Sequence, residues 1–431
     1  MARPKLPLPA DFFRCPMLSS DEETEFLRKA SANAADLVAH SILDGTGPLQ
    51  WTLESNMSDI HIYTANDPTL PSHVLCYAGV VEIQASVNEV ASLFQTHTTD
   101  EYKEFRRRFA SDLLDGHNLY TLVRPTDEHP LKAVNIKWTV NEMPGSGLLK
   151  NRDWCFLESM YEFEQDGRRG WVRAVYSTEL GCCPDFESTL GVVRGTFFRS
   201  GHVFSESDRP GYIRATHLFQ ASMNGGFQKG LVPSWEIKAG VRRRIRGISD
   251  IQTFVRETRL NQGPLIDTCD LVAKSARARC HLCNKKFGPL IRKARCRKCG
   301  EVVCHSCSSL WTLTVSDAPV RACSACSLGL VAPHADVAKA MKAVPPTMVA
   351  GRTYKDDGCL GHSHLDKLMQ HTSEDAPERH QLPSQPGLAS THTRDALVDI
   401  GLLEREQHQH QPPIHHSVDG VDEDAVHSTA A

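Results

Sequence analysis

Four Cys-x-x-Cys pairs, Cys280/Cys283, Cys296/Cys299, Cys304/Cys307 and Cys323/Cys326, are separated by 12, 4 and 15 residues. This spacing constrains the fold more than any other feature. A Cys-x-x-Cys turn offers two sulfurs to one metal ion, and two turns close a four-coordinate shell, so eight cysteines build two tetrahedral thiolate sites. With no position left for water, the zinc is expected to be structural. About fifty residues bury too little apolar surface to fold alone, and metal binding supplies the missing free energy. Disulfides are the competing reading. The first 16 residues carry basic groups but no sustained apolar core of the kind a secretory leader needs.

The other seven cysteines, Cys15, Cys76, Cys155, Cys182, Cys183, Cys269 and Cys359, follow no regular spacing and read as mostly reduced core thiols of a cytoplasmic protein. At 431 residues and 40% hydrophobic content the chain accommodates two or three domains. A net charge of −4 conceals a local imbalance, because Lys274 to Gly300 holds ten Lys or Arg and no acid. That segment calls for an anionic partner. No apolar run reaches the roughly 18 residues needed to span a bilayer.

Upstream, residues Ser19 to Asp44 read as an amphipathic helix capped by Ser19 or Ser20, with Phe26, Leu27, Ala30, Leu37, Val38 and Ile42 at helical spacing. Short extended runs follow around Trp51, Ile60 to Tyr63 and Val74 to Ile83, then helical stretches at Val87 to Gln95 and Asp100 to Phe109. After Gly116 the pattern turns to strands. Val134, Ile136, Trp138 and Val140 alternate with Asn135, Lys137, Thr139 and Asn141, which places one face on a core and the other towards water. Runs at Trp154 to Phe163, Trp171 to Leu180, Val192 to Phe204 and Tyr212 to Met223 extend this into an antiparallel meander. From Ser234 a long helix carries Ile237, Val241, Ile245, Ile248, Ile251 and Val255 as its stripe and ends before Gly263 and Pro264.

The fold class is therefore α+β, a helix-grip domain with a curved antiparallel sheet and a long C-terminal helix. Arg152-Asp153-Trp154 at a strand start, Val193-Arg194-Gly195 with Ser200-Gly201, and the terminal helix make residues 20–262 resemble the START superfamily of lipid-transfer domains. The resemblance implies a cavity between sheet and terminal helix enclosing one apolar lipid, with Trp138, Phe156, Tyr176, Phe198 and Phe219 as candidate lining residues.

The four-residue gap between Cys299 and Cys304, the run Cys296-Arg-Lys-Cys-Gly-Glu-Val-Val-Cys-His-Ser-Cys307 and Arg321 before the last pair resemble a FYVE zinc finger over residues 280–326. A RING finger spaces its fourth and fifth ligands more tightly and usually includes a histidine. The resemblance implies interleaved ligands: Cys280, Cys283, Cys304 and Cys307 hold one of two structural zinc ions, and Cys296, Cys299, Cys323 and Cys326 the other. His281 and His305 are expected to be exposed neighbours. It further implies a phosphatidylinositol 3-phosphate site at Arg292, Lys293, Arg295, Arg297 and Arg321, and membrane insertion by Leu290 and Ile291. Both family histidines of the basic strand are replaced, by Ala294 and Arg295, and the usual aromatic and acidic residues before the first cysteine have no counterpart in Ala273 to Arg279. General attraction to anionic phospholipid therefore has more support than selective reading of the 3-phosphate.

Lys238, Arg242, Arg243, Arg244 and Arg246 read as the solvated face of the terminal helix rather than a nucleic-acid site. The chain divides into an N-terminal extension (1–18), the START-like domain (19–262), a linker (263–274), the finger (275–330) and a His-, Gln- and Pro-containing tail (331–431). The tail is expected to be disordered apart from a short helix at Ala335 to Lys342, and about half of the 21 histidines fall in it, a composition with weak affinity for metal. No His-Glu-x-x-His, phosphate loop or nucleophile-elbow motif is present, and the chain is expected to be a binding protein, not an enzyme. The expected role is a membrane-associated adaptor, cytoplasmic and peripheral on endosomal membranes. The alternatives are a RING-like platform for ubiquitin transfer and a zinc module that binds protein partners without lipid.

Overall fold

The computed structural model describes residues 5–57, 60–109, 112–143, 149–225 and 234–330. Helix α1 (Ser20–His40) is started by a complete capping box between Ser19 and Glu22, with three acids in its first turn. Strands β1 (Thr52–Asn56), β2 (His61–Thr64) and β3 (Leu75–Ile83) lead into α2 (Val87–Ser92), α3 (Thr99–Phe109), β4 (Leu113–Val123), β5 (Ala133–Asn141), β6 (Arg152–Gln165) and β7 (Arg168–Ser177). After the short α4 (Glu187–Leu190) come β8 (Val193–Arg194), β9 (Thr196–Phe197), β10 (Ser200–Glu206), β11 (Ile213–Ser222) and the long α5 (Ser234–Asn261). The small C-terminal unit holds β12 (Lys293–Arg295), β13 (Val302–Cys304), β14 (Ser308–Trp311), β15 (Val320–Cys323) and α6 (Ser324–Ser327).

The first eleven strands form one sheet in the order β1-β2-β3-β11-β10-β7-β6-β5-β4, with β8 and β9 beside β6 and β11. The antiparallel meander expected over these runs is present as β4-β5-β6-β7-β10-β11; at its end β11 also pairs with β3 along nine residues, and the short β8 runs parallel to β6. The run from Val192 to Phe204 is also not one strand but three short ones, broken around Gly195 and Phe198 to Arg199.

The break has a steric cause. A Cβ on Gly195 would stand 2.4 Å from the Trp154 ring, which itself stacks on Phe197 at 4.0 Å. Beside it, Asp153 accepts hydrogen bonds from Arg194 Nη2 at 2.8 Å and Trp138 Nε1 at 2.9 Å. The separated motifs Arg152-Asp153-Trp154 and Val193-Arg194-Gly195 are thus one buried junction.

Helix α5 lies against β3 and β11, its buried stripe being Val241, Ile245, Ile248, Ile251 and Val255. The approach is closest at Gly79, where a Cβ would meet Ile245 Cγ2 at 2.2 Å. Opposite, α1 covers Val134, Ile136, Leu157, Val172 and Val203. Both faces of the central strands are therefore covered, and the expectation that Asn135, Lys137, Thr139 and Asn141 face water is overturned: all nine residues of β5 are buried. Lys137 is accommodated by an ion pair with Glu158, a hydrogen bond to Thr96 Oγ1 at 2.6 Å and the Tyr102 ring 4.6 Å away. Arg173 Nε donates to the other Glu158 oxygen at 2.7 Å. Burial opposes ionisation of Glu158, but Lys137 and Arg173 hold its carboxyl below the ordinary value.

The N-terminal extension packs on the sheet. Leu8, Phe12 and Phe13 join Trp138, Cys155, Phe186 and Val192 in one cluster, and the Cys15 and Cys182 sulfurs lie 2.8 Å apart. Cys76, Cys155 and Cys183 are buried as expected, whereas Cys269 is exposed. Cys359, the tail and the helix expected at Ala335 to Lys342 lie outside the described residues.

Substitution of Gly195 by alanine is expected to destabilise the domain by about 1–3 kcal/mol, because the methyl group must displace a fully packed indole. Urea unfolding monitored by tryptophan fluorescence measures it, and an unchanged midpoint would contradict the packing described.

Candidate functional site

The eight cysteine sulfurs fall into two groups of four, Cys280/Cys283/Cys304/Cys307 and Cys296/Cys299/Cys323/Cys326, with every sulfur of a group within 4.8 Å of the others. This is the interleaved cross-brace. The β12–β13 hairpin carries Cys296 and Cys299 at its turn and Cys304 at its end, so neither site is complete without the other's chain segment. Cys283–Cys304 and Cys296–Cys326 are 3.8 Å apart and Cys299–Cys323 3.9 Å. A tetrahedron with Zn–S bonds of about 2.3 Å has an edge of about 3.8 Å. The cages fit zinc.

Backbone donors stabilise the thiolates in the same way twice. Cys304 N–H donates to Cys280 Sγ and Cys323 N–H to Cys296 Sγ, each at 3.2 Å. Although burial opposes it, N–H groups around Cys280 pull its thiol down to about 7. His281 and His305 are exposed and outside both cages, as expected of neighbours.

The five basic residues assigned to an anionic ligand do different things. Arg292 is exposed, and the side chain of Arg295 makes no hydrogen bond or ion pair to another described residue. Lys293 donates one hydrogen bond to Lys274 O at 2.6 Å and lies 5.3 Å over the Phe287 ring. Arg297, by contrast, donates from Nε to Ile266 O at 3.0 Å, and Arg321 donates to Ser308 O at 3.2 Å. Those two are committed at least partly to holding the finger together. Ala294 lies between Lys293 and Arg295 on β12 and points inward, opposite Val303, leaving the two cations on the other face.

Residues 288–291 form a tight turn in which Ile291 N–H donates to Gly288 O at 3.1 Å. Leu290 at its tip is 97% exposed. Ile291 is half-buried against the finger core, so of the two residues expected to insert, Leu290 is the exposed one.

The finger is also clasped to the preceding domain. Leu260, the penultimate residue of α5, belongs to the finger's core beside Cys296 and Val303, and Asn261 Oδ1 accepts from Thr314 N at 2.8 Å. Lys298, between two zinc ligands, donates to the Gln262, Gly263 and Pro264 carbonyls at 2.7, 2.9 and 3.3 Å, just past the end of the helix. Arg259 spans Glu89 of α2 and Leu328 O. Sequence reading missed Leu260, Asn261 and Lys298 in this role. The basic charge of Lys298 was visible, but not that it faces inward.

Between sheet and α5 lies a cavity of about 730 Å³, bounded by Phe94, Trp154, Phe156, Phe197 and Phe219 on one side and Ile237, Val241, Ile251 and Phe254 on the other. Of the candidate lining residues, Phe156 and Phe219 are present. Trp138 faces the opposite layer, against Phe13, because the period-two alternation sends Lys137 and not Trp138 to the inner face. Tyr176 is 41% exposed, and Phe198 flanks only a crevice beside α1. The expected solvated face of α5 is divided as well. Arg243 and Arg244 line the cavity, while Arg242 pairs with Glu54 at 3.0 Å. No described helix is long and apolar enough to cross a membrane.

Residues 271–331 match the FYVE zinc finger family model. Rabankyrin-5 of Mus musculus is 29% identical over 97 residues, 21% of this chain and 8% of that protein. RUN and FYVE domain-containing protein 2 of Homo sapiens is 43% identical over 53 residues, 12% of this chain and 9% of that protein. The match thus spans under a tenth of each relative's length. Among solved structures, human StAR-related lipid transfer protein 5 superposes with a TM-score of 0.43 at 14% identity, covering 55% of this chain and 99% of that one. Human STARD10 gives 0.36 at 13%, covering 57% and 84%. The chain thus carries a FYVE finger with two four-cysteine cages that fit zinc, after a domain built on one large, mainly antiparallel sheet.

Two outcomes follow from the geometry. Changing Cys296 to alanine is expected to abolish hydrogen-exchange protection across residues 293–304 and to lower it at Leu260 and Asn261, while β5 and β6 stay protected; unchanged protection at Leu260 would contradict the clasp. The cavity imidazoles His202 and His217 supply a pH signature. Burial first, then His217 for His202 and Arg244 for His217, holds both below 6.5, His217 at about 3. Both are neutral in the fold and charge on unfolding, so their contribution is intact above about pH 6.5 and declines as pH falls towards 3. Chemical denaturation from pH 7.5 to 5 should show a shallower decline for the His202→Phe/His217→Phe variant than for the native chain.

Proposed function

We propose that this chain is a lipid-binding protein, without catalytic activity of its own, that the finger recruits to anionic, phosphoinositide-containing membranes such as endosomes. The observation that carries the recruitment is the juxtaposition of an exposed Leu290 tip with Arg292, Lys293 and Arg295 on a zinc-braced scaffold. Each such cation contributes about 1 kcal/mol near an anionic surface, and partial burial of one leucine adds about 1 kcal/mol more. The sum corresponds to weak binding, strengthened by any second contact with the same membrane. The cavity under α5, its aromatic lining and its volume within the range of roughly 300–1,000 Å³ typical of small-molecule sites support a single apolar ligand. The names of the solved structures that resemble the first domain point the same way.

Because Arg297 and Arg321 are engaged internally and Ala294 replaces an imidazole, charge and not stereospecific reading of the 3-phosphate dominates this proposal. The expected role in the cell is that of an adaptor placing a lipid-loaded domain on such a membrane.

Vesicle co-sedimentation of the zinc-loaded chain tests it. Binding to vesicles containing phosphatidylserine or phosphatidylinositol 3-phosphate should exceed binding to phosphatidylcholine, and the triple change of Arg292, Lys293 and Arg295 to alanine should weaken it by about a hundredfold. Equal sedimentation with neutral and anionic vesicles would refute recruitment by charge. Binding should change little between pH 6 and 7.5, since no histidine lies among these three cations, and strong acid enhancement would place the ligand elsewhere.

A further inference from the structure

The N-terminal extension meets the sheet at a pair of sulfurs that neither the finger nor the cavity uses. Cys15 precedes α1, and Cys182 lies in the loop between β7 and α4. They stand 167 positions apart in the chain, yet their sulfurs are 2.8 Å apart and both are free thiols. Tyr120 of β4 holds the two segments together: its hydroxyl donates to Pro16 O at 2.7 Å and lies 3.8 Å from Cys182 Sγ. The extension itself lies on the sheet as a strap. Leu8 N–H donates to Asp115 Oδ2 at 2.5 Å, and the Phe12 and Phe13 rings lie 5.7 and 5.0 Å from those of Phe186 and Trp138.

Spacing and exposure set this pair apart. In the zinc cages neighbouring sulfurs keep 3.8–3.9 Å, the separation that an ion between them imposes. Cys15 and Cys182 leave no such room. To form a bond of about 2.05 Å, their sulfurs need to close by less than about 1 Å. Both residues are half-exposed, whereas Cys155 and Cys183 beside them are buried. Cys183 follows Cys182 directly, but its side chain turns inward to the cluster of Trp138 and Phe186. Of these four cysteines, a small oxidant in solvent reaches the outer two.

We propose that Cys15 and Cys182 are a reversible redox site whose disulfide fastens the N-terminal extension to the sheet, with a hydroperoxide as oxidant and a small thiol as reductant. The Cys182 thiolate attacks one peroxide oxygen; the S–O bond forms as the O–O bond breaks, and the leaving hydroxide takes up a proton to become water. The Cys15 sulfur then attacks that of Cys182. The S–S bond forms as the S–O bond breaks, and the departing hydroxide leaves with the Cys15 proton as a second water. Two thiols have lost two electrons, and hydrogen peroxide has become two waters. Burial first, then the neighbouring Cys182 sulfur, push the Cys15 thiol up to about 12, so Cys15 waits as S–H with the proton that this second step consumes. Two equivalents of a small thiol return both cysteines to the reduced state by exchange.

Treating the zinc-loaded full chain with hydrogen peroxide at neutral pH, quenching with catalase, alkylating and mapping by mass spectrometry tests this, with hydrogen exchange read on parallel samples. The native chain should lose two hydrogens, yield a linked peptide pair carrying Cys15 and Cys182, and keep both zinc ions. Exchange at residues 12–15 should slow by at least about tenfold, because the link removes the open states of the strap, and recover with dithiothreitol. In Cys15→Ser, peroxide should leave Cys182 as a sulfenic acid that dimedone traps, with exchange at residues 12–14 unchanged. Full alkylation of Cys15 and Cys182 after peroxide overturns the proposal, as does a Cys182–Cys183 link or oxidation of the finger cysteines before this pair. A Cys15–Cys182 link that leaves exchange of the strap unaltered overturns it too. The native chain alone decides all four of these outcomes.

Discussion

Helix α5 is the constraint on which both halves of the molecule depend. Its middle presses on β3 so closely that residue 79 must be glycine, and its inner stripe roofs the cavity. Its last residues serve the other unit: Leu260 is buried in the finger's core and Asn261 accepts from Thr314. One rigid rod therefore positions the lipid-sized cavity and the zinc-braced finger together. Zinc makes the second anchorage possible. A structural site of this kind supplies about 10–16 kcal/mol at neutral pH in isolated finger peptides, far more than so small a core provides.

The finger's cations show how position, not charge count, decides role. Lys298 and Arg297 donate to carbonyls between Gln262 and Ile266, and Lys293 to that of Lys274, while Arg292 is exposed close to the exposed Leu290. A net charge of −4 for the whole chain says nothing about this division. Buried charge follows the same rule. Lys137, Glu158 and Arg173 are tolerated between layers because each answers another, whereas His202 and His217 are left with nitrogens that nothing in the described protein answers.

Much of this was legible from sequence because the deciding interactions are local or periodic. Cysteine spacing announces two tetrahedral sites, the capping box of Ser19 and Glu22 fixes the start of α1, and the 3.6-residue stripe of α5 is visible from Ile237 to Val255. The junction of Asp153, Arg194 and Gly195 was legible as motifs but not as a contact. Misreadings arose where a second layer covers a face that period-two alternation assigns to solvent, as on β5, where Lys137 turned inward and Trp138 went to the other layer. The pairing of His202 with His217 carries no local signal at all. It exists only because the register of β10 on β11 brings residues fifteen apart into contact.

A reduced, two-zinc finger and the proposed single-lipid cavity belong to one folded chain. Native mass spectrometry of the purified protein measures all of this at once. The expected mass exceeds that of the bare chain by two zinc ions, with a population carrying one additional lipid-sized ligand that collisional activation releases before the metal. A species with no zinc, its mass lowered by cysteine oxidation to disulfides, would contradict it.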